Sequence, residues 1–358
     1  MVHLFNAIDE LLTPWLKERG QGAYRLGQVR RWLFAQRVRD FREMTDLPQA
    51  LRDELARDFT LWSSQIERHT QAEDGTEKLL LTLADGGQIE CVLLRDRVPS
   101  GWRRTICIST QVGCGMGCVF CASGLEGLAR NLTTGEIVAQ MLRLQLLLDP
   151  DERLSHIVVM GMGEPLANLN ALLPALEEAS RDDGLGISAR RITISTVGLP
   201  VAMRRLAETN PRYRLAVSLH APNDELRHRI VPVSKKIPLT EILAEADHYF
   251  ERSGRRLTFE YVLLAGINDS PAQAVELAEL LAGRTALLNV IPYNPVAGLP
   301  YHTPSAAAQR AFRDVLEARG VSVQFRHRKG DAIDAACGQL RRRLSVEGQE
   351  SRAGIVGA

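Results

Sequence analysis

Gly113-Cys-Gly-Met-Gly-Cys-Val-Phe-Cys121 carries three cysteines, Cys114, Cys118 and Cys121, on one short glycine-bearing stretch. Three thiolates can each hold one iron of a cubane iron–sulfur cluster. Such a cluster has four irons, so the fourth is left open to a small molecule. A zinc site is the plainer reading of clustered cysteines, but zinc usually takes four ligands from two paired knuckles. No second Cys-x2-Cys or His-x3-His pair is present to complete one. The apolar run 105–110 precedes the loop and a helix-like segment from Thr134 follows it. The cysteines therefore sit in a strand–loop–helix unit.

That unit repeats down the chain. Strands are expected at 105–109, 156–160, 191–197, 214–219, 257–263, 287–291 and 321–325. Amphipathic helical segments lie between most of them, at 134–148, 169–182, 239–252, 272–282 and 305–319. Alternation of this kind builds a parallel sheet with right-handed crossovers. The expected fold is α/β, a partial (β/α)6 barrel at 99–340 with its site at the carboxyl ends of the strands. Ahead of it, residues 1–70 read as a small helical accessory domain. Apolar positions recur at helical spacing in Ile8, Leu11, Leu12, Trp15 and Leu16, then in Val29, Trp32 and Leu33. Pro48 opens a further helix. Residues 71–98 read as a hairpin extension turning at Ala84-Asp-Gly-Gly87. Residues 341–358 read as a C-terminal tail, frayed at its small and polar end.

Composition bounds the remainder. The chain has 358 residues with a net charge of +1, enough for one large and one small core. No apolar stretch reaches the ~18 residues that cross a membrane, and the first residues lack a basic segment followed by a long apolar run. A cytosolic protein is expected. Six cysteines, three of them clustered, do not read as a secreted disulfide scaffold. Basic pairs recur at Arg103-Arg104, Arg190-Arg191, Arg204-Arg205 and Arg255-Arg256, with longer runs at 326–329 and 341–343. They either decorate solvated faces or converge on one phosphate-binding surface.

Polar residues stand at successive strand ends. Gly161-Met-Gly-Glu-Pro165 follows the second strand, and its glycines allow close backbone approach to a ligand. Glu164 can accept hydrogen bonds from an ammonium group. Ser195 ends the third strand, Ser218-Leu219-His220 the fourth, and Asn294 follows the sixth. Cys107 lies on the first strand, seven residues before Cys114, and Cys337 lies far away in Gly330-Asp-Ala-Ile-Asp-Ala-Ala-Cys-Gly-Gln339. Both approach one site if the tail folds back over the barrel mouth. Cys91 has no such position and reads as a small buried apolar residue.

The C-x3-C-x2-C spacing resembles that of radical S-adenosylmethionine (SAM) enzymes, in which the open iron chelates SAM. The wider set of motifs resembles the RlmN/Cfr-type radical-SAM RNA adenosine methyltransferases. It comprises Phe41-Arg-Glu-Met-Thr-Asp-Leu-Pro48, Cys107-Ile-Ser-Thr-Gln-Val-Gly-Cys114, Arg130-Asn-Leu132, Gly161-Met-Gly-Glu-Pro-Leu166, Ser218-Leu-His-Ala-Pro-Asn223 and Gly330 to Leu340. The resemblance implies a [4Fe-4S] cluster on Cys114, Cys118 and Cys121. It implies SAM bound by Gly163, Glu164, Ser195, Ser218, Leu219, His220 and Asn294. It makes Cys337 the S-methylated cysteine, Cys107 its resolving partner and Glu90 the proton acceptor. The stretch between Glu90 and Cys107 is a few residues longer than in the commonest members. The implied reaction adds a methyl group to adenosine C2 in 23S rRNA and in tRNA. Two SAM are used per turnover, and electrons come from flavodoxin or ferredoxin. Methylation at C8, a different radical-SAM reaction, and a non-catalytic iron–sulfur RNA-binding module stay open at this stage.

Overall fold

The computed structural model describes residues 1–99, 101–326 and 329–340. Its first part is helical, with α1 (Ile8–Glu18), α2 (Tyr24–Phe34) and α3 (Gln49–Asp58). Leu12, Trp15, Leu16, Val29, Leu33 and Leu55 turn one apolar face inward, as their spacing demands. Strands β1 (Val2–His3) and β2 (Phe59–Thr60) pair in parallel and close the unit. Arg30 fastens it to the larger body. Its side chain is 1% exposed and reaches Asp9 and Glu178 at 2.8 Å and Asp183 at 2.7 Å. Glu178 belongs to α5 (Leu169–Ser180) of the larger body.

One ten-stranded sheet forms that body. Four strands run antiparallel: β3 (Ser64–Gln71), β4 (Glu77–Leu83), β5 (Gln88–Val98) and β6 (Gly101–Cys107). A short pair, β7 (Gln111–Gly113) with β8 (Leu128–Asn131), stands apart. From β6 the main sheet continues in parallel through β9 (His156–Val159), β10 (Ile192–Thr196), β11 (Arg214–Ser218), β12 (Leu257–Leu263), β13 (Ala286–Pro292) and β14 (Val323–Phe325). This is the α/β architecture that the alternating pattern predicts. Helices α4 (Thr134–Gln145), α5, α6 (Pro200–Thr209), α7 (Asp224–Ile230), α8 (Leu239–Ser253), α9 (Pro271–Leu280) and α10 (Ala306–Ala318) fill the crossovers. Thr133 and Glu136 start α4 with a reciprocal capping box.

The hairpin is a continuous part of the sheet. Val92 of β5 pairs with Cys107 of β6, so their side chains share a face. Glu90 and Leu94 lie on that face too, two residues to either side. The ladder runs on from Leu93 opposite Ile106 to Val98 opposite Gly101. Strand β3 lies where helix is expected. Its sequence, Ser-Gln-Ile-Glu-Arg-His-Thr-Gln, has Ile66 as its one aliphatic residue, 44% exposed. Pairing with β4 makes it a strand, and no apolar alternation announces it.

Two closures build the mouth of the barrel. β7 and β8 clamp the ends of the cysteine loop, and Cys114 N–H donates to Gly127 O at 3.0 Å. Gly113 has φ +77°, and a Cβ there would lie 2.0 Å from that same oxygen, so only glycine fits. The stretch 329–340 then folds back across the strand ends. Ala122 N–H donates to Gly338 O at 2.8 Å, and Ser123 Oγ donates to Leu340 O at 2.8 Å. The expected tail 341–358 falls outside the described residues.

Replacing Arg30 with alanine strands Glu178 beside a fully buried gap. Breaking a buried pair of this kind costs about 3–5 kcal/mol, and the partial exposure of all three carboxylates points to the lower end. Arg30→Ala should lower the urea midpoint and expose the 1–61 segment to limited proteolysis. A wild-type digestion pattern would contradict that fastening role.

Candidate active site

Cys114, Cys118 and Cys121 all line one chamber at the carboxyl ends of the strands. Burial pushes the Cys114 thiol up to about 11, drives Cys118 well above its usual range and also raises Cys121. Each thiol feels at least one other: Cys114 feels Cys121, and Cys118 feels both. As thiolates the three would repel one another in this buried space, and cationic iron would supply the balancing charge. Among the described residues, no three His, Cys, Asp or Glu side chains are arranged to hold a single metal ion. A cubane asks for a different geometry, because each thiolate takes its own iron corner.

Of the residues expected to hold SAM, Gly163, Glu164, Ser195, Ser218, His220 and Asn294 line this chamber. Leu219 does not, since its side chain is fully buried in the core. The glycines, both of which line the chamber, also serve the chain's own packing. A Cβ at Gly161 would lie 2.7 Å from Ile108 O, and one at Gly163 2.6 Å from Gln111 Cβ. They let the loop pack against the chain's own cysteine-bearing strand. Glu164 is likewise committed locally. It accepts from Thr196 Oγ1 at 2.7 Å, Val197 N–H at 2.8 Å and Leu166 N–H at 2.9 Å. His220 accepts from Val262 N–H through Nδ1 at 3.1 Å and packs edge-on to Phe120. Its burial, with Arg227 beside it, takes the imidazole down to about 3. The ring is neutral, with Nε2 carrying the proton.

A second cavity adjoins the first. Cys107, Leu94, Asp96, Arg103, Arg326 and Lys329 are among its walls. Cys337 lines both cavities, as do Met160, Ile291 and Asn294. The tail cysteine therefore stands at the junction of the two spaces. Burial pushes the Cys107 thiol up to about 12, and nearby Cys337 pushes it the same way. Glu90 is 3% exposed and bonds Lys78 Nζ at 2.8 Å, while Lys78 also donates to Asp334 O at 3.0 Å. Glu90 lines neither cavity among the residues that wall them. Its Cα lies roughly 7 Å along β5 from Val92, the partner of Cys107. Cys91 points to the opposite face and is fully buried.

Known proteins place this arrangement in context. Residues 108–278 match the family profile described as Radical SAM superfamily, and residues 2–61 match the ribosomal RNA large subunit methyltransferase N-terminal domain. A relative from Rhodopirellula baltica, named probable dual-specificity RNA methyltransferase RlmN, is 61% identical over 340 residues, which is 95% of this chain and 91% of the relative. The chain belongs to the RlmN family of radical-SAM RNA methyltransferases. A second relative, from Opitutus terrae and named RlmN 3, is 47% identical over 95% of this chain and 94% of its own. The crystal structure of a radical SAM methyltransferase from Sphaerobacter thermophilus superimposes with a TM-score of 0.90 at 42% identity. It covers 95% of this chain and 99% of that one.

An RlmN-family enzyme needs a [4Fe-4S] cluster and SAM, and the chamber suits both. Its three thiols leave one iron corner free for chelation. Asn294 Oδ1 is buried without a partner, an acceptor facing a space that calls for a donor. SAM brings such donors in its ammonium and ribose hydroxyls. Three further residues complete the site; no motif marked Arg227 or Glu260, and Arg326 stood out only as part of the basic run 326–329. Arg227 is 1% exposed, lies near Cys118, and donates to Val197 O at 2.6 Å and Leu219 O at 3.1 Å. Glu260 is a buried acid in the chamber wall that accepts from Asn289 Nδ2 at 2.6 Å. Arg326 reaches Cys337. The basic pairs divide: Arg104 and Arg204 are used in ion pairs with Glu152 and Glu245. Arg103, Arg191 and Arg214 gather around His156.

His220 gives this RlmN-family site a pH signature. The unfolded imidazole binds a proton near 6.5 and the folded one near 3. The unfolded chain therefore holds the extra proton in that window, and stability falls as pH drops through it. The urea midpoint should drop more between pH 7 and pH 5 for the wild type than for His220→Gln. Equal drops would contradict the buried neutral ring.

Proposed function

We propose that this chain methylates C2 of adenosine in 23S rRNA and in tRNA, through an S-methylated Cys337 and a transient Cys107–Cys337 disulfide. One observation carries the reading. Cys337 borders both the chamber with the three cluster thiols and the cavity with Cys107. The match of residues 2–61 to an rRNA methyltransferase domain supports an rRNA substrate. The dual specificity in the relatives' names supports a second RNA. The enzyme works in the cytoplasm and takes electrons from a carrier such as flavodoxin or ferredoxin.

The ring carbon of adenine is electron-poor and does not attack a SAM methyl group, so the methyl must arrive by another route. When bound, the cluster supplies the electron that cleaves SAM to a carbon radical able to take hydrogen from a methyl group. The chain's residues do the rest. Cys337 accepts a methyl from a first SAM and, after hydrogen loss to a second, presents the carbon to the base. Glu90 takes the ring proton, and its ion pair with Lys78 at 2.8 Å holds the carboxylate in place beforehand. The linked adduct gives up its one surplus electron to the electron carrier. Cys107 thiolate then attacks Cys337 sulfur, the Cys107–Cys337 S–S bond forms, the Cys337 S–CH2 bond breaks, and the released carbon takes a proton to become the methyl group. The mostly apolar chamber keeps water from the radical steps. Its narrowness requires an adenine already out of its stack, which favours loop nucleotides.

Reconstituted protein, incubated with rRNA and tRNA, should yield 2-methyladenosine by nucleoside mass spectrometry. Methylation at C8 alone, or no methylated adenosine, contradicts the proposal. Cys107→Ala should accumulate a covalent protein–RNA adduct with turnover reduced at least 100-fold, on the order of losing one essential catalytic group. Fast turnover without adduct would remove Cys107 from the reaction.

A further inference from the structure

Sulfur chemistry at Cys337 calls for negative charge on a half-buried sulfur. The charged and titratable groups facing it come from several elements. Cys121 is on the cluster loop, Cys107 on β6 and Arg326 just after β14, while Glu260 on β12 and Asp96 on β5 act on Arg326 and wall the two cavities that Cys337 borders. All but Arg326 are acids or thiols. Lys329 and Arg103 stand nearby, but Asp96 engages both, Lys329 at 2.5 Å and Arg103 at 3.6 Å. Arg326 Nη1 donates to Cys337 Sγ at 3.6 Å.

The backbone fixes that arginine. Arg326 N–H donates to Val290 O at 2.9 Å, which extends the β13–β14 ladder by one residue. The preceding Phe325 is covered by the Arg313 guanidinium, 4.3 Å from the ring centroid. The side chain enters the cavity walled by Cys107 and Cys337. Glu260 lies on its other side and is buried.

We propose that Arg326 is the positioning residue for the sulfur chemistry, supplying the positive charge that stabilises Cys337 thiolate as it takes the methyl group. This rests on the reading of Cys337 as methyl acceptor. In that step the thiolate attacks the SAM methyl carbon. The Cys337 S–CH3 bond forms, the sulfonium–CH3 bond breaks, and its electron pair stays on the departing S-adenosylhomocysteine sulfur. The guanidinium is attracted to the anion that precedes this step and releases nothing. Cys107 lies within the same field, so one cation serves both sulfurs in turn. A purely structural role, neutralising buried Glu260, would leave Cys337 reactivity untouched.

The test follows Cys337 alkylation by iodoacetamide in the reconstituted full chain under anaerobic conditions, by quantitative peptide mass spectrometry from pH 6 to pH 9. An opposite charge at this range favours a thiolate by about tenfold or more. Arg326→Gln should slow alkylation at pH 7 by about tenfold or more and move the profile to higher pH. Arg326→Lys should restore part of the rate. A wild-type profile in folded, iron-loaded Arg326→Gln overturns the proposal. Should that variant fail to assemble, Arg326→Lys carries the test. Its shorter cation moves the profile the same way by a smaller factor, and an unmoved profile overturns the proposal. A separate incubation of wild type with methyl-labelled SAM keeps the two claims apart. No label on Cys337 removes the methyl-acceptor reading, whereas label with an indifferent arginine removes only this inference.

Discussion

Two hydrogen bonds hold the chemistry of this protein in one place. Ala122 N–H to Gly338 O and Ser123 Oγ to Leu340 O join the cluster loop to a segment more than 200 residues away. Each bond adds only about 1 kcal/mol net, yet together they decide where Cys337 stands. Asn294 Nδ2 donates to Cys337 O at 3.3 Å, Gln339 Nε2 donates to Pro295 O at 2.9 Å, and Lys78 anchors Asp334 O. Gly330 and Gly338, at φ +67° and +85°, give the segment its turns. Without this fastening, the barrel would present the three-cysteine loop and its chamber without Cys337 beside them.

The same segment makes the hairpin part of the site. Strand alternation puts Lys78, Glu90, Leu94 and Cys107 on one face of the β4–β5–β6 ladder. The tail segment lies against that face. What resembles a linker between two domains is the wall on which Cys107, the proposed resolving cysteine, and Glu90, the proposed base, are mounted. Electrostatics follows from depth. Cys107, the three cluster thiols, Glu164 and Glu260 are all shifted toward neutrality by burial. Charge in such a space needs a close partner. Arg227 supplies one beside Cys118 and Arg326 one beside Cys337. Arg227 stays cationic at neutral pH although burial draws it down to about 10.

The parallel strands were legible because buried β-branched runs such as Ile192–Thr196 alternate with amphipathic helices, a signal carried in each local window. The cluster loop was legible because metal-ligand spacing is local too. Strand β3 was hidden because its stability comes from a neighbour and its own residues are polar. Arg326, Glu260 and Lys78 were hidden for a related reason. Their partners lie 11 or more residues away in sequence, and a lone buried charge looks like any surface charge until the chain is folded. At Gly161 and Gly163 the folded chain adds a demand for glycine that the sequence did not show, the close approach of the chain to itself. The SAM-side set divided similarly. Six positions line the chamber as their strand-end positions suggest, whereas Leu219 faces the core.

The juxtaposition of Cys337 with Cys107 is the claim on which the account stands. The direct measurement is a disulfide map of the anaerobically prepared full chain after brief exposure to a mild thiol oxidant, read by non-reducing peptide mass spectrometry. The account predicts a dominant Cys107–Cys337 linked peptide that forms before any other pairing. A Cys337 that stays reduced while other cysteines link, or that links elsewhere, would contradict it.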